Sequence, residues 1–491
     1  MNRTPRPTGT RTPRAAGTRN PSPAGPRNPS PAGPRDPSPA GPRAPRPGRS
    51  AGPRRDLYAA SAAALLVTAA VLVGRQVQGT RHTLFVNWPP LLASWGPHVG
   101  PGTPAAAIVA AAVVAYGPAV AARLPWRALL PAAWGTALAW TFSLALIDGW
   151  RRGIALRLTT RHEYLRVVDR FDDIPAALRD FTHHILLHSP DNWPAHVAGH
   201  PPAATLTFVL LDRIGLRGGG WAGVWCITVG ATACVAVLVA VRALAGERLA
   251  RRAAPFLVLA PAAVWMGTSA DAYFAAVAAW TVALLALAVT RGSLVAAGTS
   301  GLLFGLTCYL SYGLTLLAPI AAAVLWLGRR GVRERPVLLV ALFAGAAVVP
   351  AVFTLAGFDW WEAYRLLVTR YRQGAGGVRP YAYWVWADPA CTVLITGLAT
   401  AAGLLRSGTV LLRRHPADRD GVRLALLVAA ALLSLLVADL SGMSKAETER
   451  IWLPFAMWLL PSCAFLPRPR AWLTTQAVLA LLLNHLLWTG W

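Results

Sequence analysis

Of 491 residues, 55% are apolar and 14% are charged, and the formal net charge is +26; the mean hydropathy is +0.44. Several apolar runs reach the roughly 20 residues that cross a bilayer, which excludes a soluble globular chain and fixes a polytopic membrane protein. The positive charge lies mainly in an N-terminal tail and in the loops between apolar runs, so it reads as membrane topology and not as a nucleic-acid-binding surface.

Residues 1–56 form a Pro/Arg/Gly/Ser tail in which the octad Asn-Pro-Ser-Pro-Ala-Gly-Pro-Arg stands at 20–27 and 28–35, and recurs with Asp36 in place of Asn at 36–43. With almost no apolar side chains to bury, the tail has nothing to set against the entropy of ordering, and disorder is expected. Twelve arginines against one acid within residues 1–55 place it on the cytoplasmic side by the positive-inside rule. The transmembrane domain then fills 57–491. Apolar helices are expected at about 57–74, 104–122 and 128–147. With the tail inside, the third of these ends outside, at Asp148. The stretch 75–103, with Trp88-Pro-Pro-Leu and Trp95-Gly-Pro, is too rich in proline for a plain helix.

Asp148 to Pro202 is therefore a large extracytoplasmic loop, and it holds six of the chain's ten histidines. Within it Ile174, Leu178, Phe181 and Ile185 recur at helical spacing, with Arg179 and Asp180 opposite, which fits a helix lying in the interface plane. Further apolar runs lie at about 203–216, 221–241, 253–267, 272–290, 293–310, 312–328, 336–357, 389–405, 424–440, 451–466 and 471–489, for about 12–14 segments in all. Arginine-rich stretches at 242–252, 329–335, 406–423 and 468–470 mark the cytoplasmic side. That leaves 267–271, a second large loop at 358–388, and 441–450 facing outward. One conflict follows: with 148–200 outside and Arg242 inside, the runs at 203–216 and 221–241 cannot both be simple crossings.

This arrangement gathers ionisable groups on one side. Asp148, Asp172, Asp173, His200, Asp271, Arg379, Glu447, Glu449 and Arg450 all fall there, at helix ends or in loops. Charge at membrane depth is costly, so such groups are paired or functional.

His200-Pro201-Pro202 opens a helix; Leu244 to Arg252 closes one on basic residues; Leu259-Ala260-Pro261 is an apolar Ala-Pro run; Ser269-Ala270-Asp271-Ala272 opens the next helix. That ordered set resembles the polyprenyl-phosphate-sugar-dependent glycosyltransferases of the GT-C superfamily, in particular the protein O-mannosyltransferase and aminoarabinose-transferase branch. The likeness covers roughly 145–290 and is architectural beyond. It implies an all-α polytopic GT-C-like bundle in the plasma membrane, a polyprenyl-phosphate-linked sugar as donor, and an envelope acceptor that the sequence does not name. Such transfer needs a carboxylate to take the acceptor's proton and cations to hold the departing phosphate. The resemblance puts Asp148 first as base and Asp172 or Asp173 second, with Asp271 in the catalytic set. Arg379 and Arg450 are the candidate phosphate holders, since guanidinium presents a fork to phosphate oxygens. His196, His200, Glu447 and Glu449 join them as substrate-binding candidates, and Tyr381 belongs to an aromatic cluster with Trp360, Trp361, Tyr364, Tyr383, Trp384 and Trp386 that suits a sugar face.

Plainer roles stand beside these. Asp148 and Asp271 sit where a helix cap is needed, Trp and Tyr at helix ends form interface belts, and Glu447, Glu449 and Arg450 suit an internal ion pair. His184 and His188, like His196 and His200, stand at i, i+4, a zinc-compatible spacing, but Pro194, Gly199 and Pro201 disturb the second pair. No cofactor is assigned, and a divalent metal stays open. The five cysteines lack ligand spacing and read as packing residues. Two other classes remain. A transporter or lipid-linked-sugar flippase calls for mid-membrane ion pairs and an internal repeat, and neither is visible. A non-catalytic envelope-assembly protein would use the large loop only for docking. A transferase instead needs Asp148, Asp271 and Arg450 around one outward cavity.

Overall fold

The computed structural model describes residues 52–413 and 418–490. The expected disorder of the tail lies outside the described residues, except at 52–56, and there the helix begins before its apolar run. Helix α1 is Pro53–Arg81, seven residues longer at its far end than the run at 57–74. Asp56 in its first turn is buried and forks onto Arg406 Nε and Nη2, both at 2.7 Å.

Strand β1 (Ala93–Trp95), α2 (Thr103–Arg123) and α3 (Trp126–Ala145) follow. The loop from 146 to 201 is built of short 3-10 turns and two small helices, α4 (Ile174–Asp180) and α5 (Ala195–Gly199). Leu178, Phe181 and Ile185 of the expected stripe are buried and Arg179 and Asp180 are exposed, but Ile174 is only partly buried, and the single helix expected there ends at Asp180 and gives way to a 3-10 turn at Phe181–His184. Trp193 seals it from behind, donating from Nε1 to the Phe181 carbonyl at 2.9 Å.

Helix α6 (Pro202–Arg213) has 12 residues, a rise of about 18 Å, against a hydrocarbon core of about 30 Å. Helices α7 (Gly218–Gly230) and α8 (Thr232–Ala245) continue one another through a 28-residue apolar stretch. The parity conflict is thereby resolved, because only the second of the two runs is long enough to cross. Helices α9 (Glu247–Val258) and α10 (Ala263–Met266) divide the run expected at 253–267, and α11 (Ala270–Arg291) is the most buried of the long helices.

Next come α12 (Leu294–Leu310), α13 (Ala318–Leu327), α14 (Arg329–Glu334) and α15 (Val337–Leu355). A Cβ on Gly301 would collide with the Leu342 carbonyl, and one on Gly345 with the Gly298 carbonyl. Helices α12 and α15 thus meet backbone to backbone, the small-residue contact that stands in for hydrophobic drive inside lipid. The second loop contains α16 (Trp360–Gln373) and α17 (Ala375–Val378). It ends sooner than expected, because α18 starts at Tyr381. The run read as one crossing at 389–405 is in fact α18 (Tyr381–Thr396) and α19 (Leu398–Arg413), bent by 106°. Gly397 sits at the bend with φ +86°, a conformation other residues rarely adopt.

The chain closes with α20 (Arg419–Leu440), α21 (Thr448–Ile451), α22 (Leu453–Ala456), α23 (Pro469–Leu486) and β2 (Leu487–Thr489). Strands β1 and β2 pair antiparallel, Ala93 opposite Thr489, a ribbon that no alternation in the sequence announces.

Apart from that ribbon the fold is an all-α polytopic bundle. Among the described residues seven helices are long and apolar enough to cross a membrane, or eight with the bent pair as one span; Leu294–Leu310, Tyr312–Leu327 and Leu453–Phe465 are shorter apolar helices. The 12–14 apolar segments of the sequence thus divide into full-length helices, a bent pair and short pieces. At one end, called here the loop end, α2 begins, α3 ends and α11 begins. Gly102 N–H donates to Leu146 O at 3.0 Å, and Thr268 Oγ1 donates to Gly153 O at 2.6 Å.

Candidate active site

At the loop end lies a cavity of about 1360 Å³. Asp271 reaches it from the first turn of α11, and Glu447 and Arg450 reach it from the turn into α21. Ala446 and Glu447 both take left-handed backbone angles, φ 68° and 63°, which fold the chain after α20 sharply back into the bundle. The 146–201 loop supplies Glu163, His196 and His200, and the segment after α17 supplies Arg379.

These side chains form one network. Arg450 Nη1 donates to Asp271 Oδ2 at 2.5 Å, and Nη2 donates to Glu447 Oε2 at 2.9 Å. The same Nη2 lies 3.0 Å from His196 Nε2, and His196 Nδ1 lies 3.0 Å from Glu163 Oε1. Guanidinium has no acceptor, so Nε2 accepts, and the imidazole proton sits on Nδ1 and points at Glu163. Arg450 is thus held by two carboxylates and an oriented imidazole. Arg379 donates to the carbonyls of Leu84 at 3.1 Å and Lys445 at 2.8 Å, and its Nη2 stands 3.9 Å from Glu447 Oε1. Lys445 Nζ in turn donates to Arg379 O at 3.1 Å.

Environment sets the charge states. Burial pushes the Glu447 carboxyl up, but Arg450, His196 and Arg379 outweigh it and hold the group below the usual carboxylate range. Burial lowers His200 to about 4 against the pull of Asp271, so its imidazole is neutral at pH 7. His200 Nδ1 lies 2.8 Å from the His196 carbonyl and 2.9 Å from the Tyr164 hydroxyl. Burial raises Glu449 to about 7.

Of the residues singled out in the sequence, Asp271, His196, His200, Arg379, Glu447 and Arg450 line this cavity. Asp148 does not join them. It lies at the same end, but both its oxygens are engaged: Oδ1 is 2.9 Å from His98 Nε2, and Oδ2 accepts from Arg157 Nη2 at 2.5 Å with Arg152 Nε at 3.8 Å. His98 stacks on Trp488 at 3.7 Å, and Arg152 covers the same ring. Asp148 thus ties the loop to the 485–490 segment. Asp172 and Asp173 are exposed and away from the cavity; Asp173 caps α4 by accepting from Ala176 N–H at 3.0 Å. Glu449 is fully buried behind the wall, where Oε1 accepts from Leu92 N–H at 2.9 Å and Oε2 has no hydrogen-bond partner among the described residues. Tyr381 is half exposed and donates to the Leu440 carbonyl at 3.3 Å. Trp360, Trp361 and Tyr364 of α16 do line the cavity.

Sequence reasoning passed over Glu163, Lys445, His98 and Arg157. Lys445 carried a signal, as the one lysine in a chain of 46 arginines. Glu163 carried none, standing 33 residues before the histidine it meets. Among the described residues no group of three or more His, Cys, Asp or Glu side chains is placed to hold a metal ion. The two zinc-compatible histidine pairs are thus not gathered into one such group.

No family model matches the chain, and no curated protein matches it. Solved structures of the Archaeoglobus fulgidus oligosaccharyltransferase do. The complex with Zn and sulfate is 14% identical, with TM-score 0.37, covering 70% of this chain and 50% of that one. The form tethered to an acceptor peptide containing the NVT sequon is 13% identical, with TM-score 0.40, covering 68% and 49%. The apo form is 14% identical, with TM-score 0.40, covering 68% and 50%. The chain spans about half the length of these structures, and at such values no residue role passes from them to this chain.

Proposed function

We propose that this chain is a GT-C-type membrane glycosyltransferase that moves a sugar from a polyprenyl-phosphate donor to an acceptor at the extracytoplasmic face of the cell membrane, with its N-terminus in the cytoplasm. The observation that carries the reading is Arg450 clamped between Asp271 and Glu447 in the wall of a large cavity at one end of the bundle. Buried charges are expensive to keep, and a scaffold has no use for them in the lining of a cavity of this size.

The chemistry assigned to the cavity is a displacement at the anomeric carbon. An acceptor oxygen attacks that carbon, its bond to the phosphate oxygen breaks, and the electron pair leaves with the polyprenyl phosphate. The acceptor's proton passes to a carboxylate. Asp148, Asp172 and Asp173, the acids expected as base, do not line the cavity; Asp271, the remaining acid of the catalytic set, does and takes that role here, with Arg450 fixing the orientation of its carboxylate. Arg379 and Lys445, on the wall beside Glu447, are the cations for the phosphate as its charge grows. The α16 aromatics Trp360, Trp361 and Tyr364 offer a face for the sugar, and Leu314, Leu316 and Phe455 an apolar wall for the first isoprene units.

The test is transfer of label from a radiolabelled polyprenyl-phosphate sugar in membranes bearing the wild type or Asp271→Asn. Loss of a general base costs about 10²–10⁴ in rate, and a loss of that size is expected. Equal incorporation by both proteins overturns the reading.

A further inference from the structure

A second cavity, of about 430 Å³, lies at the opposite end of the bundle, between α2, α9 and the start of α23. Its position follows from the helices. The continuous stretch of α7 and α8 starts at the loop end, where a Cβ on Gly219 would meet the Ala155 carbonyl, and finishes at Ala245; α9 begins two residues later at Glu247, and α2 runs from the loop end to Arg123. The size falls within the range of about 300–1,000 Å³ usual for small-ligand sites.

The lining is unbalanced in charge. Arg248, Arg251 and Arg252 face a single carboxylate, Glu247, and that carboxylate is already taken. Its Oε1 holds Arg251 Nη2 at 2.6 Å, and its Oε2 holds Arg242 Nη2 at 2.8 Å. Arg251 also donates from Nη1 to the carbonyls of Ala121 at 2.7 Å and Leu124 at 2.8 Å, which fixes this wall to the end of α2. Arg248 and Arg252 are exposed as whole residues, with the Arg252 guanidinium partly covered. Arg252 donates to the Leu466 carbonyl at 2.9 Å, and Arg248 has no hydrogen-bond or ion-pair partner among the described residues. Partial burial depresses the Arg252 guanidinium, and the neighbouring Arg248 and Arg406 add to the fall.

Behind the arginines the walls turn apolar. Pro118 and Ala122 of α2 face Pro255 and Phe256 of α9. Arg248 to Pro255 is about 10 Å along the helix, and there the two helices close, since a Cβ on Gly117 would touch Pro255 at 3.4 Å. On the outer side of α2, Tyr116 and Val120 are exposed, at 67% and 43%, as on a face that meets lipid. A cationic rim over a short apolar slot fits an amphiphile with an anionic head, and a free inorganic anion would leave the slot unfilled.

We propose that this cavity is a binding site for an anionic phospholipid, whose phosphate is forked by Arg248 and Arg252 and whose first acyl carbons lie against Ala122 and Phe256. Arginine suits phosphate by its planar pair of donors, and basic pockets between membrane helices match anionic head groups. The inference does not rest on the glycosyltransferase reading.

The test is native mass spectrometry of the full-length protein in detergent, titrated with dioleoylphosphatidylglycerol or dioleoylphosphatidylcholine. The wild type is expected to bind phosphatidylglycerol at least tenfold more tightly. Arg248→Gln with Arg252→Gln should lower that affinity at least fivefold. Arg291→Gln with Arg333→Gln, two exposed arginines outside the pocket, should leave it unchanged. Ala122→Phe fills the apolar slot without touching a charge, and it too should weaken phosphatidylglycerol binding. Inorganic phosphate at millimolar concentration should not displace the lipid. Three results overturn the proposal: equal affinity for the two lipids, equal loss in both double variants, which marks diffuse charge attraction, and full affinity in Ala122→Phe or displacement by phosphate, which marks a simple anion site.

Discussion

Arg450 and Asp271 meet at 2.5 Å across 179 residues of chain, both buried, joining the start of α11 to α21. The contact ties two segments far apart in the chain. Breaking a buried pair strands a charge and costs about 3–5 kcal/mol. Arg450→Ala is therefore expected to lower thermal stability in detergent by that order. Arg450→Lys should restore little, since an ammonium cannot serve Asp271, Glu447 and His196 with one planar fork. Thermal unfolding of the two variants checks this, and near wild-type stability for Arg450→Lys would show that the fork is not needed.

Glu163 orients His196 by accepting from Nδ1, which leaves Nε2 to receive Arg450. Glu163→Gln keeps the shape but offers an amide in place of a carboxylate. Transfer is expected to fall about 10- to 100-fold with little change in KM, the range seen when a group that supports another's orientation is lost. A rise in KM at constant kcat would instead make Glu163 a donor-binding group.

Two buried groups give stability a pH dependence of opposite signs. Glu449 is raised from 4.5 to about 7, so between these values the folded state holds a proton that the unfolded state has lost, and stability falls as pH rises through that window. His200 is lowered from 6.5 to about 4, so there the unfolded state binds the extra proton, and stability rises with pH from about 4 to 6.5. Glu449→Gln should therefore raise Tm most above pH 7 and remove the decline between pH 4.5 and about 7. Tm measured from pH 4 to 9 for wild type and Glu449→Gln decides it, and parallel curves would place the titration elsewhere.

Asp148 holds His98 and Arg157 and through them the 485–490 segment. Asp148→Asn should loosen that end, and hydrogen exchange is the readout. Faster exchange is expected in 93–98 and 485–490, with the cavity turn at 441–450 little changed. Unchanged exchange at both places would mean that the pin carries no load.

How far the sequence reaches can be read from particular residues. Leu178, Phe181 and Ile185 are buried as their spacing suggested, but only Leu178 lies on the α-helix, which stops at Asp180, so the periodicity marked the buried face and not the length of the helix. Asp271, Glu447 and Arg450 share one end of the bundle, as the arginine distribution required. The bend at Gly397 was hidden, because a continuous apolar run says nothing about backbone angles. Helix α6 was ambiguous, since 12 residues of a short crossing and of a buried piece have the same composition. Asp148 and Asp271 were indistinguishable as acids at helix ends. Their difference lies in partners 50 and 179 residues away, a distance over which no sequence spacing carries information. Glu163 was lost for the same reason.

The central claim is that transfer happens in the cavity of Asp271 and Arg450. Single-turnover transfer from a labelled polyprenyl-phosphate sugar, measured side by side for wild type, Asp271→Asn and Asp148→Asn, tests it most directly. The account predicts a fall of at least about 100-fold for Asp271→Asn and of less than about tenfold for Asp148→Asn, which alters only a positioning contact. The reverse order, with Asp148→Asn inactive and Asp271→Asn near wild type, contradicts it.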